Sequence, residues 1–487
     1  MTEYVLNISD LSTEQQVAYR KYCQGSNLFI TGPGGTGKTR LIKNFIDFSN
    51  STNTKVSVCA MTGCAAVILN CNARTLHSWS GIKLAKGPND KIIAAVLKNR
   101  NAVKIWRSTK ILILDEVSML SKKIFEIIEE LARIIRKNAM PFGGMQVIFT
   151  GDFYQLPPVG TDGDPDTNCF CFESPIWRTV FKMENHIQLK TIFRQTDPQY
   201  IEILQQIRCG ALSETNKRIL QSYVNREYDP AQHNDCVPTK LFPLRSKVDY
   251  VNTQMFSKIK EKEYIFEIVR KKDCTTNLES GKPLGPLILD ACLRMTPQEK
   301  EYEIDQLINN TPCSQILRLK KGVAVMCTVN LDMDNSICNG SQGIVINILE
   351  NGPVPLIVVK FSNGIIKTIA QHFWQSDDYP TIAIGQYPLC LAWALTIHKI
   401  QGATLEMAEI DIGQSVFEYG QTYVALSRIQ SLNGLYLSAF HAQKIMANPI
   451  VQRFYSDIEQ VPVLEQVPVQ VQNNEICTST TKIIKLL

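Results

Sequence analysis

The sequence predicts an α/β protein made of two doubly wound parallel-sheet domains, the second interrupted by a β-barrel-like insertion. Three observations lead there. Short continuous apolar runs bounded by turns recur through the first 190 residues, as expected of strands buried on both faces of a parallel sheet. Stretches with helical apolar spacing lie between those runs. The same alternation of strand and helix then resumes in two separated pieces further along the chain. A chain of 487 residues exceeds one ordinary domain, and 44% hydrophobic with 20% charged residues is ordinary globular composition.

In chain order, Asn27 to Thr31, Lys55 to Ala60, Ile111 to Asp115 and Gln146 to Thr150 read as strands, and Lys122 to Lys137 reads as a helix. These elements assign 1–80 and 106–190 to the first domain, with the lysine-rich stretch 81–105 as a small insertion. The second domain is split into 191–256 and 388–445. Between its halves, 257–387 is less regular, and its later half reads as short strands. Val323 to Met326 and Gly343 to Ile346 are examples, with Asn339-Gly340 and Asn363-Gly364 as turn signals. The remainder, 446–487, reads as a loosely ordered tail. In it Glu459-Gln460-Val461-Pro462-Val463 is echoed by Glu465-Gln466-Val467-Pro468-Val469, too few copies for a repeat fold.

Composition narrows the function classes only modestly. A net charge of +5 suits nucleic acid without demanding it. Fifteen cysteines are scattered singly, without zinc-knuckle spacing, and read as reduced thiols of an intracellular protein. The N-terminus has neither the apolar core of a signal peptide nor an arginine-rich transit pattern. No apolar run approaches the ~20 residues that cross a bilayer. The expectation is a soluble nuclear or cytoplasmic protein with no secretory or organelle-targeting signal and no membrane partner.

Chemistry enters at Gly32-Pro33-Gly34-Gly35-Thr36-Gly37-Lys38-Thr39, which follows a strand and opens a helix as a phosphate-binding P-loop must. Its glycines let backbone N–H groups close around phosphate oxygens, and the helix N-terminus adds a positive dipole end. Lys38 can reach the terminal phosphates of ATP, and the Thr39 hydroxyl can take a Mg²⁺ position. Ile111 to Glu116 delivers two carboxylates at the C-terminal end of a buried strand, where open α/β sheets bind ligands. Asp115 is expected to hold Mg²⁺ through water, and Glu116 to orient and deprotonate the attacking water. In Gly151-Asp152-Phe153-Tyr154-Gln155-Leu156-Pro157-Pro158, Gln155 can hydrogen-bond both the γ-phosphate and that water. A nucleotide site shared between two domains needs a second domain that senses the phosphate. Arg194 and Arg428 lie far enough downstream to be presented by one, and guanidinium forks suit phosphate oxygens.

The order of motifs from about residue 11 to 440 resembles the petite-integration-frequency (PIF-type) DNA helicases, a RecD-like branch of helicase superfamily one. Leu11-Ser12-Thr13-Glu14-Gln15 resembles the family's Q motif, which implies Gln15 on the adenine edge. Ala60-Met61-Thr62-Gly63-Cys64-Ala65-Ala66 with Thr75-Leu76-His77-Ser78 resembles its first DNA-contacting motif, and Asp115 through Arg133 its signature stretch. Phe193-Arg194-Gln195, the run Leu391 to Gly402, and Tyr423 to Arg428 resemble the fourth, fifth and sixth motifs. Two departures stand out. Ile400 replaces a residue that is often small and polar, which points to a local packing change, and no long N-terminal extension precedes the motifs.

The resemblance implies two RecA-like domains, a wedge at 81–105, and an SH3-like barrel within 257–387. It implies an ATP-dependent DNA helicase moving 5′-to-3′ on single-stranded DNA and opening duplex junctions. It further implies G-quadruplex substrates, service in replication, repair, recombination or telomere maintenance, and action as a monomer. Gly402 joins the nucleotide site. Thr62, His77, Phe153, His398 and Lys399 are the DNA candidates, because hydroxyls and cations hold phosphates while aromatic faces stack bases. Trp79 and Trp393 suit core packing as well as base stacking. An RNA-directed or dual-substrate helicase, a small-molecule P-loop kinase or transferase, and a nucleic-acid binder without ATPase activity stay open as alternatives.

Overall fold

A computed structural model describes residues 10–459 except 70, 72, 84, 229–236, 279, 280, 312, 333, 334, 336, 351, 353, 377 and 378. The extreme N-terminus and, apart from Glu459, the echoed segment lie outside the described residues.

The four apolar runs of the first domain form parallel strands, Leu28–Thr31, Val56–Ala60, Ile111–Asp115 and Gln146–Gly151. They sit centrally in a six-stranded sheet that Arg74–Thr75 and His186–Gln188 complete at its two edges. Leu28 pairs with Ile148, and Ile113 pairs with Ile148 from the other side, so three strand ends align along one sheet margin. The P-loop, Asp115-Glu116 and the Asp152 loop all leave from that margin. Helix Lys122–Arg136 starts at Ser121, whose hydroxyl accepts from Ile124 N at 3.3 Å, and ends where Lys137 turns left-handed. Between these limits Phe125, Ile128, Leu131, Ala132 and Ile135 recur every three or four positions and are buried.

The 81–105 stretch, expected as a small insertion, packs into the first lobe. Helices Asn89–Lys98 and Arg100–Ser108 follow one another, and Ile92, Ile93, Val96, Ala102 and Trp106 join the main core of the first lobe. Its lysines face solvent while its apolar positions are part of the scaffold, so the segment cannot be trimmed without opening that core.

The second lobe has four parallel strands in the order Ala394–Thr396, Thr239–Phe242, Ala408–Ile412, Leu435–Phe440. The intervening chain forms antiparallel sheets, the largest having five strands, Ile366–Ile369, Leu356–Phe361, Gln342–Leu349, Ala324–Cys327 and Leu389–Leu391. Leu389–Leu391 belongs to this insertion sheet, a few residues beyond the expected boundary, because it pairs with Ala324–Cys327. Asn363-Gly364 makes the tight turn between Leu356–Phe361 and Ile366–Ile369. Trp393 packs in the insertion's own core and Trp79 packs at a tilt against Trp106, ring centres 4.4 Å apart, so both are packing residues.

The first part of the expected loose tail is ordered; residues 460–487 lie outside the described residues. Residues Pro449–Glu459 form a helix that returns to the first lobe, where Val451, Tyr455 and Ile458 are buried in its core. Its apolar residues recur at helical spacing, but too briefly to stand out in an otherwise weak pattern. Among the described residues, no helix is long and apolar enough to cross a membrane.

Candidate functional site

The P-loop is held by residues from both lobes. Gly37 has φ of 80°, and a methyl group there would lie 2.7 Å from Gln15 Nε2, so conformation and space both demand glycine. The Gln15 Nε2 group donates to Thr36 O at 3.0 Å, and its Oε1 accepts from Ser12 N at 3.1 Å in a reciprocal cap. In this structure the Gln15 amide braces the loop. Lys38 Nζ donates to Gly32 O at 2.7 Å and Pro33 O at 3.0 Å. Burial lowers the Lys38 pKa, against the pull of Asp152, Glu116 and Asp115.

The carboxylates stand opposite. Asp115 Oδ1 accepts from Glu116 N at 2.9 Å and from the Thr150 hydroxyl. Burial raises Asp115, and burial together with Asp115 raises Glu116. Glu116 has left-handed backbone angles, φ 56° and ψ 44°, which costs a non-glycine residue on the order of 1–3 kcal/mol and is typical of functional sites.

The second lobe completes the site. Arg428, only 2% exposed, donates to Val424 O at 3.0 Å and Ser427 Oγ at 2.8 Å. Its Nη2 would stand 3.5 Å from a methyl on Gly34. Arg194 donates to Ser427 O at 3.1 Å, and its Cβ would stand 2.5 Å from a methyl on Gly35. Burial and then the Arg428 charge push Arg194 down, to about 9. Gly402 lies beside the same carboxylate, and a methyl there would stand 4.0 Å from Glu116 Oε1. The structure therefore brings together the P-loop, Asp115, Glu116, Arg194, Gly402 and Arg428. Gln155, on the Asp152 loop beside them, is buried, and its Oε1 has no hydrogen-bond partner among the described residues. Ile400, the departure from the family pattern, is wholly buried in the second lobe's core.

Sequence reasoning missed two residues here. Gln401 Nε2 donates to Glu116 Oε2 at 3.2 Å, and Gln401 Oε1 has no partner among the described residues. Phe193 is 53% exposed, its ring lies 3.6 Å from the position of a Gly37 Cβ, and its N–H donates to Gly35 O at 2.8 Å. Both lie inside the fourth and fifth motif runs, but only the fold shows which way each side chain faces.

The DNA candidates separate. A cleft of about 1090 Å³ runs between the first lobe and the insertion, lined by His77, Ser78 and Lys83 on one side and by Tyr302, Phe373 and Trp374 on the other. Asn101 donates to the Tyr379 hydroxyl across it, and Lys83 Nζ lies 5.6 Å from the centre of the Tyr302 ring. Burial lowers the His77 pKa, so it is neutral near pH 7. Thr62 caps helix Gly63–Leu69 by accepting from Ala65 N at 3.2 Å; Ala66 of that helix reaches the cleft. Lys399 is exposed, and His398, with its pKa lowered by burial, is half-buried. Neither lines this cleft. Phe153 does not fit the expectation: it is 1% exposed among Phe29, Phe170, Phe172, Trp177 and Phe454, with no face left for a base. The ring is drawn inward because those five aromatic side chains already form a pocket for it.

Two α/β lobes with parallel sheets meeting at one P-loop, with Arg428 from the second lobe and Arg194 from the connecting stretch beside the phosphate loop, define a two-lobed P-loop NTPase. The PIF1-like helicase family model matches residues 10–218, and the model of the DNA helicase Pif1 2B domain matches 304–348. The ATP-dependent DNA helicase PIF1 of Xenopus laevis is 33% identical over 458 residues, 94% of this chain and 66% of that protein. The Pif1 helicase from Candida albicans superposes with a TM-score of 0.71 at 32% identity, covering 92% of this chain and 99% of that one. The Pif1 helicase from Bacteroides in complex with ADP-AlF3 and ssDNA gives 0.61 at 27% identity, covering 93% and 98%. The chain belongs to the PIF1-like helicase family. It spans 61 to 66% of the length of the vertebrate and fungal relatives first matched.

Proposed function

We propose that this chain is an ATP-dependent DNA helicase that hydrolyses ATP between its lobes and moves 5′-to-3′ along single-stranded DNA. The observation that carries this reading is the placement of Arg428 from the second lobe, and of Arg194 from the connecting stretch after His186–Gln188, against the P-loop glycines of the first lobe. Two mutually repelling guanidiniums and Lys38 in one partly buried site demand a polyanion, and a site split between lobes converts its hydrolysis into relative motion. Both halves come from one chain, so the unit of action is a monomer.

The residues fit a nucleotide with Mg²⁺. Lys38 and the loop amides hold the phosphates, and Thr39 with Asp115 would hold the ion, which would neutralise phosphate charge. Glu116 takes the proton of the attacking water, steadied by Gln401. The unpartnered Oε1 atoms of Gln155 and Gln401 supply acceptors for that water. Gln15 and Phe193 border the place for the base, Phe193 as a stacking face and Gln15 by its amide edge. Changing Phe193 to alanine is expected to raise KM for ATP roughly 5- to 150-fold, because a lost base stack is worth about 1–3 kcal/mol, while kcat changes little. Steady-state hydrolysis over a range of ATP concentrations measures it, and an unchanged KM would remove Phe193 from the nucleotide site.

The cleft lined by His77, Phe373 and Trp374 is proposed as the single-strand path, with Thr62, His398 and Lys399 gripping the backbone beyond it. The 81–105 segment is proposed as the strand-separating wedge and the insertion as a cover over the DNA. G-quadruplexes are further candidate substrates. The test compares ATP hydrolysis with single-stranded DNA, RNA and no polymer, then unwinding of duplexes with one tail. DNA is expected to stimulate hydrolysis most, and duplexes with only a 5′ tail to be opened. Stronger stimulation by RNA favours an RNA-directed enzyme, and efficient opening from a 3′ tail alone refutes the polarity.

A further inference from the structure

A second buried network joins the lobes beside the phosphate loop. Arg208, the last residue of helix Pro198–Arg208 in the second lobe, donates through Nε to Asp152 Oδ2 and through Nη2 to Asp152 Oδ1, both at 2.9 Å. The two side chains are 8% and 0% exposed. Asp152 begins the loop carrying Gln155, whose N–H donates back to Asp152 O at 2.9 Å. The guanidinium lies 4.4 Å from the Tyr154 ring centre and 5.2 Å from that of Tyr455. Those rings stack on each other at 4.8 Å. Tyr455, from the returning helix, shares a 2.5 Å hydrogen bond with Thr31 Oγ1, accepts from Phe153 N at 3.1 Å and donates to Asp152 Oδ1 at 3.3 Å.

The other end of helix Pro198–Arg208 meets the nucleotide motifs. It starts just after Gln195, whose amide donates to Ser427 O at 3.2 Å and Ile429 O at 3.0 Å, and Tyr200 OH donates to Leu426 O at 2.7 Å. One rigid rod of about 16 Å therefore connects the Arg194–Arg428 region with the anchor of the Gln155 loop. The loop also rests on the second lobe at Gly420, where a methyl would lie 2.5 Å from the carbonyl oxygens of Tyr154 and Gln155. A buried ion pair is a poor adhesive, since desolvation offsets its attraction. A bidentate fork instead imposes a fixed direction.

On the helicase reading above, the geometry points to Arg208 as a positioning residue: with Tyr455 it ties the Gln155 loop to the second lobe, so that lobe closure and placement of Gln155 are one movement. Arg208 touches no phosphate in this arrangement; it acts through Gln155.

The test uses the full chain carrying Arg208→Ala, Arg208→Lys or Tyr455→Phe, each alone and with Gln155→Ala. Arg208→Ala is expected to lower DNA-stimulated kcat about 10-fold or more, within the roughly 5- to 150-fold range of coupling between sites, with KM for ATP held within about twofold. Lysine keeps the charge without the fork and rescues only partly. Tyr455→Phe lowers kcat by a smaller factor. Added to Gln155→Ala, each change should cost almost nothing further, because it acts through the same side chain; a general loss of packing would multiply instead. If the alanine variant fails to fold, the lysine and Tyr455→Phe variants carry the same cycle. A kcat within about twofold of wild type, or multiplicative losses with Gln155→Ala, overturns the proposal. Basal hydrolysis is measured in the same cycle, so a wild-type chain that DNA does not stimulate counts against the helicase reading alone.

Discussion

Arg428→Ala is expected to lower DNA-stimulated ATP hydrolysis by roughly 10³–10⁵-fold, the value of an arginine finger where one acts. The size follows from its setting. The guanidinium is pre-aimed by Val424 O and Ser427 Oγ, lies beside Gly34 of the P-loop, and is almost free of solvent. A donor held in a low-dielectric site needs no reorganisation when charge develops on phosphate oxygens. Arg428 also counteracts the burial that raises the Glu116 pKa, so its loss favours the protonated carboxyl, which cannot accept the water's proton. Lysine cannot restore the fork. Steady-state hydrolysis at saturating single-stranded DNA measures the effect, and a variant keeping a tenth of the rate would mean that Arg428 serves the fold of helix Gln421–Leu426 and not the reaction.

Glu116→Gln is expected to slow turnover about 10²–10⁴-fold while ATP still binds. The carboxamide fills the same volume and can keep a hydrogen bond to Gln401 after rotation of either amide, but it accepts no proton. Lys38, Asp115 and the P-loop glycines are untouched, so nucleotide affinity should hold or rise as one buried negative charge disappears. Filter binding of ATP alongside single-turnover hydrolysis separates the two quantities. Near-normal turnover would move the base elsewhere, and loss of binding together with turnover would make Glu116 a structural residue of the nucleotide pocket.

Local patterns make much of this protein legible. The strands Leu28–Thr31, Ile111–Asp115 and Gln146–Gly151 can be read from the sequence because each is one local run of apolar residues ending in a turn or in carboxylates. The P-loop is readable because phosphate binding needs glycines, lysine and threonine at fixed local spacing. The ordered motifs assign Arg194, Gly402 and Arg428 to one nucleotide site, and in the structure these residues lie close to the P-loop and Glu116.

Other features depend on contacts that no local pattern encodes. Phe153 lies in a loop whose sequence permits exposure, and only the pocket of Phe29, Phe170, Phe172 and Phe454 buries it. The lysines of 81–105 suggest an insertion, yet Ile92, Ile93 and Val96 belong to the core.

By itself, then, the sequence determined the two α/β lobes, the phosphate loop, the paired carboxylates and the family, because each is written in residue types at short or ordered spacing. The tertiary structure decided that Pro449–Glu459 returns to the first lobe, that Tyr455 reaches Thr31 and Asp152, and that Arg208 crosses between lobes to Asp152. The physical reason is that a buried polar group requires a partner, and which distant side chain supplies it is settled only when the lobes pack.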